Sequence, residues 1–362
     1  MMRKIFHQLH LWLSIPFGIV ITLVCFSGAM LVFEEDVKHL VHPERYYAAH
    51  PAEGTPLPIP TLLEEVASTL PDSVQVTGLT IPADTRRNYG VYLSFPHKAM
   101  VYIDPYSGKV AGAEPTSGFF RVMENLHRWL LDDEFYGGKM VVGISTLALL
   151  IILLTGVVIW FPRNARRLRS SFRIVWGKGW RRFWYDCHIA GSLYSFLLLL
   201  VLALTGLTWS FDWYSRLYYR TFGVVSQQSG GHGGHETEEQ PTLPTSYLHW
   251  QSVYEQVASA DSTFKEITLY DGMAQLYPGR WGNRLAADTY LFDTADGDIT
   301  RVIPYEDTDQ ETKVWGWTYS IHVGNWGGWI TQILSFIAVL LGASLPLTGY
   351  YLWIKRLRSK RH

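Results

Sequence analysis

Cys187-His188-Ile189-Ala190-Gly191, running on through an apolar segment to Leu207-Thr208-Trp209-Ser210-Phe211, decides how the chain is read. More than twenty residues with almost no charge are enough to cross a hydrocarbon core of roughly 30 Å as a helix. The segment opens on a histidine, which at the end of a membrane helix is an anchor or a ligand. The N-terminal apolar segment bears on that choice. There His10 precedes Gly28 and Phe33 by the same spacings at which His188 precedes Gly206 and Phe211, so the histidine belongs to an internal repeat.

The composition of the 362 residues, 48% hydrophobic, 15% aromatic and 17% charged, is compatible with a soluble protein, but the apolar residues are bunched. Four runs reach spanning length, at about 9 to 33, 139 to 161, 188 to 211 and 329 to 354. The formal net charge of −1 hides an asymmetry: Arg163, Arg166, Arg167, Arg169, Arg173, Lys178, Arg181 and Arg182 lie between the second and third runs with no acid among them. Lys355, Arg356, Arg358, Lys360 and Arg361 follow the fourth run, and Arg3 and Lys4 precede the first. The positive-inside rule then places both termini and the basic loop in the cytoplasm and the two acidic inserts outside. Topology accounts for the basic loop, so no nucleic-acid partner is called for. Arg3 and Lys4 before an apolar core resemble a signal peptide, but the run is longer than such a core and matches the third run, so it is read as a retained span. Cys25 and Cys187 fall near opposite faces of the membrane and are expected to stay unpaired.

The expected organisation is a first span (1–34), an outer domain (35–116), a surface helix with the second span (117–162), a basic loop (163–186), a third span (187–211), a second outer domain (212–314), and a fourth span with a basic tail (315–362). In the first insert Thr61 to Leu70 reads as a helix, followed by strands over Gln75 to Ile81, Tyr89 to Phe95 and Met100 to Ile103 and a turn at Asp104 to Val110. In the second, Leu248 to Ala258 is the helix, and Tyr290 to Phe292 pairs with the segment after Asp293. Asp104 and Asp293 each stand four residues before a turn glycine, so a small α+β module is used twice. Ser229 to Glu236, with His232 and His235, reads as a flexible linker. Pro346 is expected to kink the fourth span.

Each insert returns to the membrane through a histidine. His127 edges the apolar stripe of Phe119, Val122, Met123, Leu126 and Leu130, and His322 follows Trp315, Trp317 and Tyr319. Both following spans close on a Thr-Gly and a tryptophan: Thr155, Gly156 and Trp160 in one half, Thr348, Gly349 and Trp353 in the other. Four histidines thus form two layers, His10 with His188 on the cytoplasmic side and His127 with His322 on the outer side. Paired imidazoles across a helical bundle suit the two axial positions of a b-type haem. Small residues such as Gly18, Gly28, Gly191 and Gly206 are expected to let a flat macrocycle approach. No Cys-x-x-Cys-His is present for covalent attachment. His7, without a counterpart in the third span, reads as an interfacial residue.

These motifs resemble the PepSY-associated transmembrane proteins, a family that includes bacterial inner-membrane ferric-siderophore reductases. The resemblance is carried by His7-Gln8-Leu9-His10-Leu11-Trp12 through Ser27-Gly28, Val101-Tyr102-Ile103-Asp104-Pro105-Tyr106-Ser107-Gly108, Leu126-His127-Arg128-Trp129, His188 through Thr205-Gly206, and Ile321-His322. It implies a four-transmembrane-helix bundle with two PepSY-like periplasmic domains, two haem b groups, and electrons passed outward to a ferric siderophore or other ferric chelate. With no Gly-rich nucleotide loop in the chain, the electron donor is expected to be separate, a quinol or a cytoplasmic reductase. The other reading is a non-enzymatic membrane protein whose PepSY domains bind or inhibit an outer partner. Arg121, Arg128, Trp129, Trp315, Trp317 and Trp326 read mostly as interfacial belt and packing. The loop Tyr277 to Arg284 is different, with Arg280 and Arg284 flanking Trp281. It is expected to rim a chelate pocket between the two outer domains.

Overall fold

The structure is a computed structural model and describes residues 2–49, 54–96, 99–115, 117–132, 137–161, 169–224 and 246–359. The expected linker 229–236, with His232 and His235, and Arg163, Arg166, Arg167, Lys360 and Arg361 lie outside the described residues. The chain divides into a helical unit and a sheet unit.

Four helices of the helical unit are long and apolar enough to cross a membrane: α1 (Met2–Leu31), α6 (Gly137–Trp160), α7 (Trp180–Ser210) and α11 (Trp329–Arg358). In hydrocarbon every backbone N–H and C=O must be paired internally, which a continuous helix achieves. Contacts run α1 to α6, α6 to α7, α7 to α11 and α11 back to α1, so the four close into a bundle. Its interior holds small and apolar side chains, among them Ile21, Cys25, Ala29, Val339 and Ala343. Both cysteines are free. Pro346 sits inside the unbroken α11, and Thr22 of α1 donates a hydrogen bond to the Ala343 carbonyl one turn before it, at 3.1 Å. Against α1 and α6 packs the short α5 (Phe119–Trp129), which stops where Leu130 and Leu131 take positive φ. After α7 comes α8 (Asp212–Thr221), which packs on it and belongs to the helical unit.

In the sheet unit the strands of both inserts belong to one sheet. Strands β1 (Val76–Pro82), β2 (Tyr89–Leu93), β3 (Met100–Ile103), β4 (Val110–Ala113), β5 (Glu266–Tyr270), β6 (Met273–Tyr277), β7 (Asp288–Phe292) and β8 (Ile299–Ile303) form one antiparallel sheet ordered β4-β3-β2-β1-β5-β6-β7-β8. The two inserts meet at β1 and β5, where Leu79 faces Leu269 and Thr80 faces Thr268, with the two threonine hydroxyls 2.9 Å apart. A lone four-stranded sheet would leave β1 as an open edge, and pairing with its repeat removes it. Strands β5 and β6 are additions to the sequence-based expectation, although Asp271-Gly272 between them, with Gly272 at φ 70°, is a strong hairpin signal. The repeated turns form as expected: Gly108 N–H donates to Asp104 O and Gly297 N–H to Asp293 O, at 2.9 and 2.8 Å.

One face of the sheet is covered by α4 (Ile59–Thr69) and α9 (Trp250–Ala260), which bury Leu62, Leu63, Val66, Trp250, Val253 and Val257 on Leu79, Ile81, Val91, Ile267, Leu269 and Leu276. The Gln251 side chain accepts a hydrogen bond from the Ile59 N–H at 2.9 Å, tying the first turns of the two repeated helices together. The remaining helices are α2 (Glu34–Val41) and α3 (Pro43–Tyr46), in the sheet unit, and α10 (Gln310–His322). Leu269→Ala, at the fully buried seam, is expected to destabilise this unit by about 2–5 kcal/mol. The exposed Val302→Ala should stay within about 0.5 kcal/mol. Protease susceptibility of the sheet unit during denaturant titration of the whole chain measures both.

Candidate functional site

His127 sits near the C-terminal end of α5 and His322 is the last residue of α10. Their rings face each other with centroids 6.2 Å apart and planes at 51°. His127 Nδ1 lies 2.9 Å from the Val24 carbonyl of α1. A carbonyl can only accept, so Nδ1 carries the proton. One turn further along α1 is Gly28, where a Cβ would come within 2.8 Å of His127 Cε1. His322 repeats this on α7, with Nδ1 3.0 Å from Thr205 Oγ1 and a Cβ at Gly206 that would fall 2.9 Å from its Cε1. The Thr205 hydroxyl donates to the Val201 carbonyl at 2.9 Å, leaving a lone pair to accept from the ring.

The other two histidines follow the same rule at the opposite end of the bundle. His10 Nδ1 lies 3.1 Å from Ile152 O and 3.2 Å from Thr155 Oγ1, and His188 Nδ1 2.9 Å from Thr348 Oγ1. Their glycines are Gly156 and Gly349, with ideal Cβ distances of 3.5 and 3.6 Å to the respective Cε1 atoms. Ser27-Gly28, Thr155-Gly156, Thr205-Gly206 and Thr348-Gly349 are therefore one motif used four times on the spans. Spacing in the sequence relates them only in pairs, Gly28 with Gly206 and Gly156 with Gly349. Gly28 and Gly206 make room for imidazoles, whereas Gly18 meets Tyr350 and Gly191 meets Leu341 and Leu345. Gly28 stands 18 residues along α1 from His10, as Gly206 does from His188, a rise of about 27 Å between the two levels. His7 is exposed, with Nε2 3.4 Å from Arg356 Nη1.

Each ring thus holds a proton on Nδ1 and leaves Nε2 without a hydrogen bond among the described residues, the state in which histidine ligates a metal. Burial lowers the His127 pKa. Burial, and after it the proximity of His127, pulls His322 down to about 3, so both rings stay neutral at physiological pH. Among the described residues no group of three or more His, Cys, Asp or Glu gathers as an ion site. Two facing imidazoles suit a group that brings its own remaining ligands. Nitrogens each about 2 Å from a shared metal put the ring centroids roughly 6 Å apart, and the outer pair has that spacing. Trp209 lies against His322, with ring centroids 5.1 Å apart.

In the comparison with protein families, the model described as PepSY-associated TM region matches residues 7–356. The chain belongs to that family. With its four apolar helices, this PepSY-associated chain is a multi-pass membrane protein. Comparison with curated proteins gives no match.

At the seam between the inserts β1 and β5 are paired backbone to backbone, and the loop after β6 carries Arg280, Trp281 and Arg284. Arg280 pairs with Asp288 and Glu306 and lies over the Tyr305 ring, while Arg284 pairs with Glu35 at 2.7 Å. Trp281 is 73% exposed. A side chain at Gly282 would collide with Trp317, so the loop is held close against α10.

The glycine distances rank four substitutions. Gly28→Ala and Gly206→Ala force an imidazole aside and are expected to cost about 1–3 kcal/mol. Gly156→Ala and Gly349→Ala meet only ordinary contact and should be neutral, or stabilising by up to about 1 kcal/mol through helix propensity. Thermal unfolding of the purified variants gives the order.

Proposed function

We propose that the chain is a di-haem b oxidoreductase that moves electrons across the inner membrane to a ferric chelate, a siderophore complex being the class in view. The observation that carries this reading is the facing of His127 and His322 at haem-ligand spacing. The repeated Nδ1 anchoring of all four histidines supports it. Bound haem would supply one-electron ferric/ferrous chemistry at each level. Val24 and Thr205 would hold the outer Nδ1 protons, and Ile152, Thr155 and Thr348 the inner ones, so that each Nε2 is presented as a ligand without a rotamer search. A quinol or a cytoplasmic reductase would give electrons at the His10 and His188 end, and one electron per iron would leave at the His127 and His322 end. Hard oxygen chelators hold ferrous iron far less well than ferric, so reduction releases the metal. Trp281 is the candidate contact for the organic shell of the chelate, with Arg280 and Arg284 shaping its loop through their ion pairs.

Purified from haem-replete cells, the protein should show a Soret band with two components. His10→Ala and His188→Ala should diminish the same component, and His127→Ala and His322→Ala the other. Absence of the band would reject the redox reading in favour of a protein that only binds an outer partner. Loss of one component by both His10→Ala and His322→Ala would reject the pairing. Trp281→Ala should raise the chelate concentration needed for half-maximal reoxidation, leaving the spectrum and the response to a small artificial acceptor intact.

A further inference from the structure

We propose that the crevice between the start of α6 and the corner joining α7 to α8 binds the phosphodiester headgroup of an anionic phospholipid. It is an open crevice of about 410 Å³, lined by Lys139, Met140, Ser210, Phe211, Trp213 and Arg216, together with Asp212. Neither Lys139 nor Arg216 has an ion pair or hydrogen bond among the described residues. Two cations that outnumber the single carboxylate of Asp212 in one crevice call for an anion.

Position identifies its source. Lys139 is in the first turn of α6 and Ser210 is the last residue of α7, so the crevice lies where two spans leave the hydrocarbon, at the depth of the lipid phosphates. On α8, Trp213 and Leu217 are one turn apart and 52% and 56% exposed. Outward apolar side chains beside an arginine are the pattern of a helix lying in the membrane interface. Met140 and Phe211 offer an apolar floor to the glycerol and first methylenes, and Ser210 a hydroxyl to a phosphate oxygen. Asp212 leaves a formal charge of +1, matched to a phosphodiester monoanion and poorly suited to multiply charged free phosphate. This site is independent of the redox reading.

The test uses the full-length protein, delipidated in neutral detergent, with phosphatidylglycerol, phosphatidylcholine of the same acyl chains, or inorganic phosphate as probes. Native mass spectrometry reads retained lipid, and thermal unfolding reads protection. Phosphatidylglycerol should be retained and raise the midpoint, and Lys139→Ala/Arg216→Ala should weaken its binding at least tenfold, while Arg220→Ala on the same helix leaves it unchanged. Asp212→Asn should tighten binding, which keeps the test decisive if the double variant does not fold. Equal protection by phosphatidylcholine or by phosphate, undiminished binding in the double variant, or unaltered or weaker binding in Asp212→Asn would each overturn the proposal.

Discussion

Four imidazoles donate their Nδ1 protons to neighbouring spans beside a glycine, and at Gly28 and Gly206 that glycine removes a side chain that would block the ring. A helix carbonyl is normally committed to its own i+4 N–H. It can take a second donor only where the groove beside it is open, and Gly28 and Gly206 open it. A buried imidazole without such a partner would leave a polar N–H unsatisfied, at a cost of roughly 1–3 kcal/mol. Met that way, the same bond fixes the tautomer and aims the second nitrogen. Structure and chemistry thus share one interaction.

Between the inserts the organising contact is of another kind. The β1–β5 seam fuses two copies of a small module into a sheet of eight strands, with Thr80 and Thr268 facing each other close to its centre. Each copy has one helix to cover its strands, and the two helices meet through Ile59 and Gln251. Fusion lets both cover a common core, in which Trp250 and the leucines of α4 are wholly buried. A four-stranded module standing alone would have less apolar area to remove from water.

Charge is distributed on the same logic of satisfaction. Arg280 and Arg284 look available in sequence, yet both have acidic partners: Asp288 and Glu306 for one and the distant Glu35 for the other. Lys139 and Arg216 are, in sequence, each a single cation near a span end. Folding brings them onto one wall beside aromatic side chains.

What the sequence by itself determined is what depends on local pattern. The four spans, the turns at Asp104 and Asp293, and the spacing of His10, His127, His188 and His322 are properties of single segments, set by hydropathy, by turn chemistry and by an internal repeat that can be compared with itself. The Asp271-Gly272 hairpin is equally local and equally legible. Only the tertiary structure decided the pairing of β1 with β5, because an edge strand carries no mark of which other edge it will meet. The same holds for the acceptor of each Nδ1 and for the partners of the loop arginines. Most of these join residues tens to hundreds of positions apart, and their proximity is a consequence of packing, which no spacing within one segment encodes.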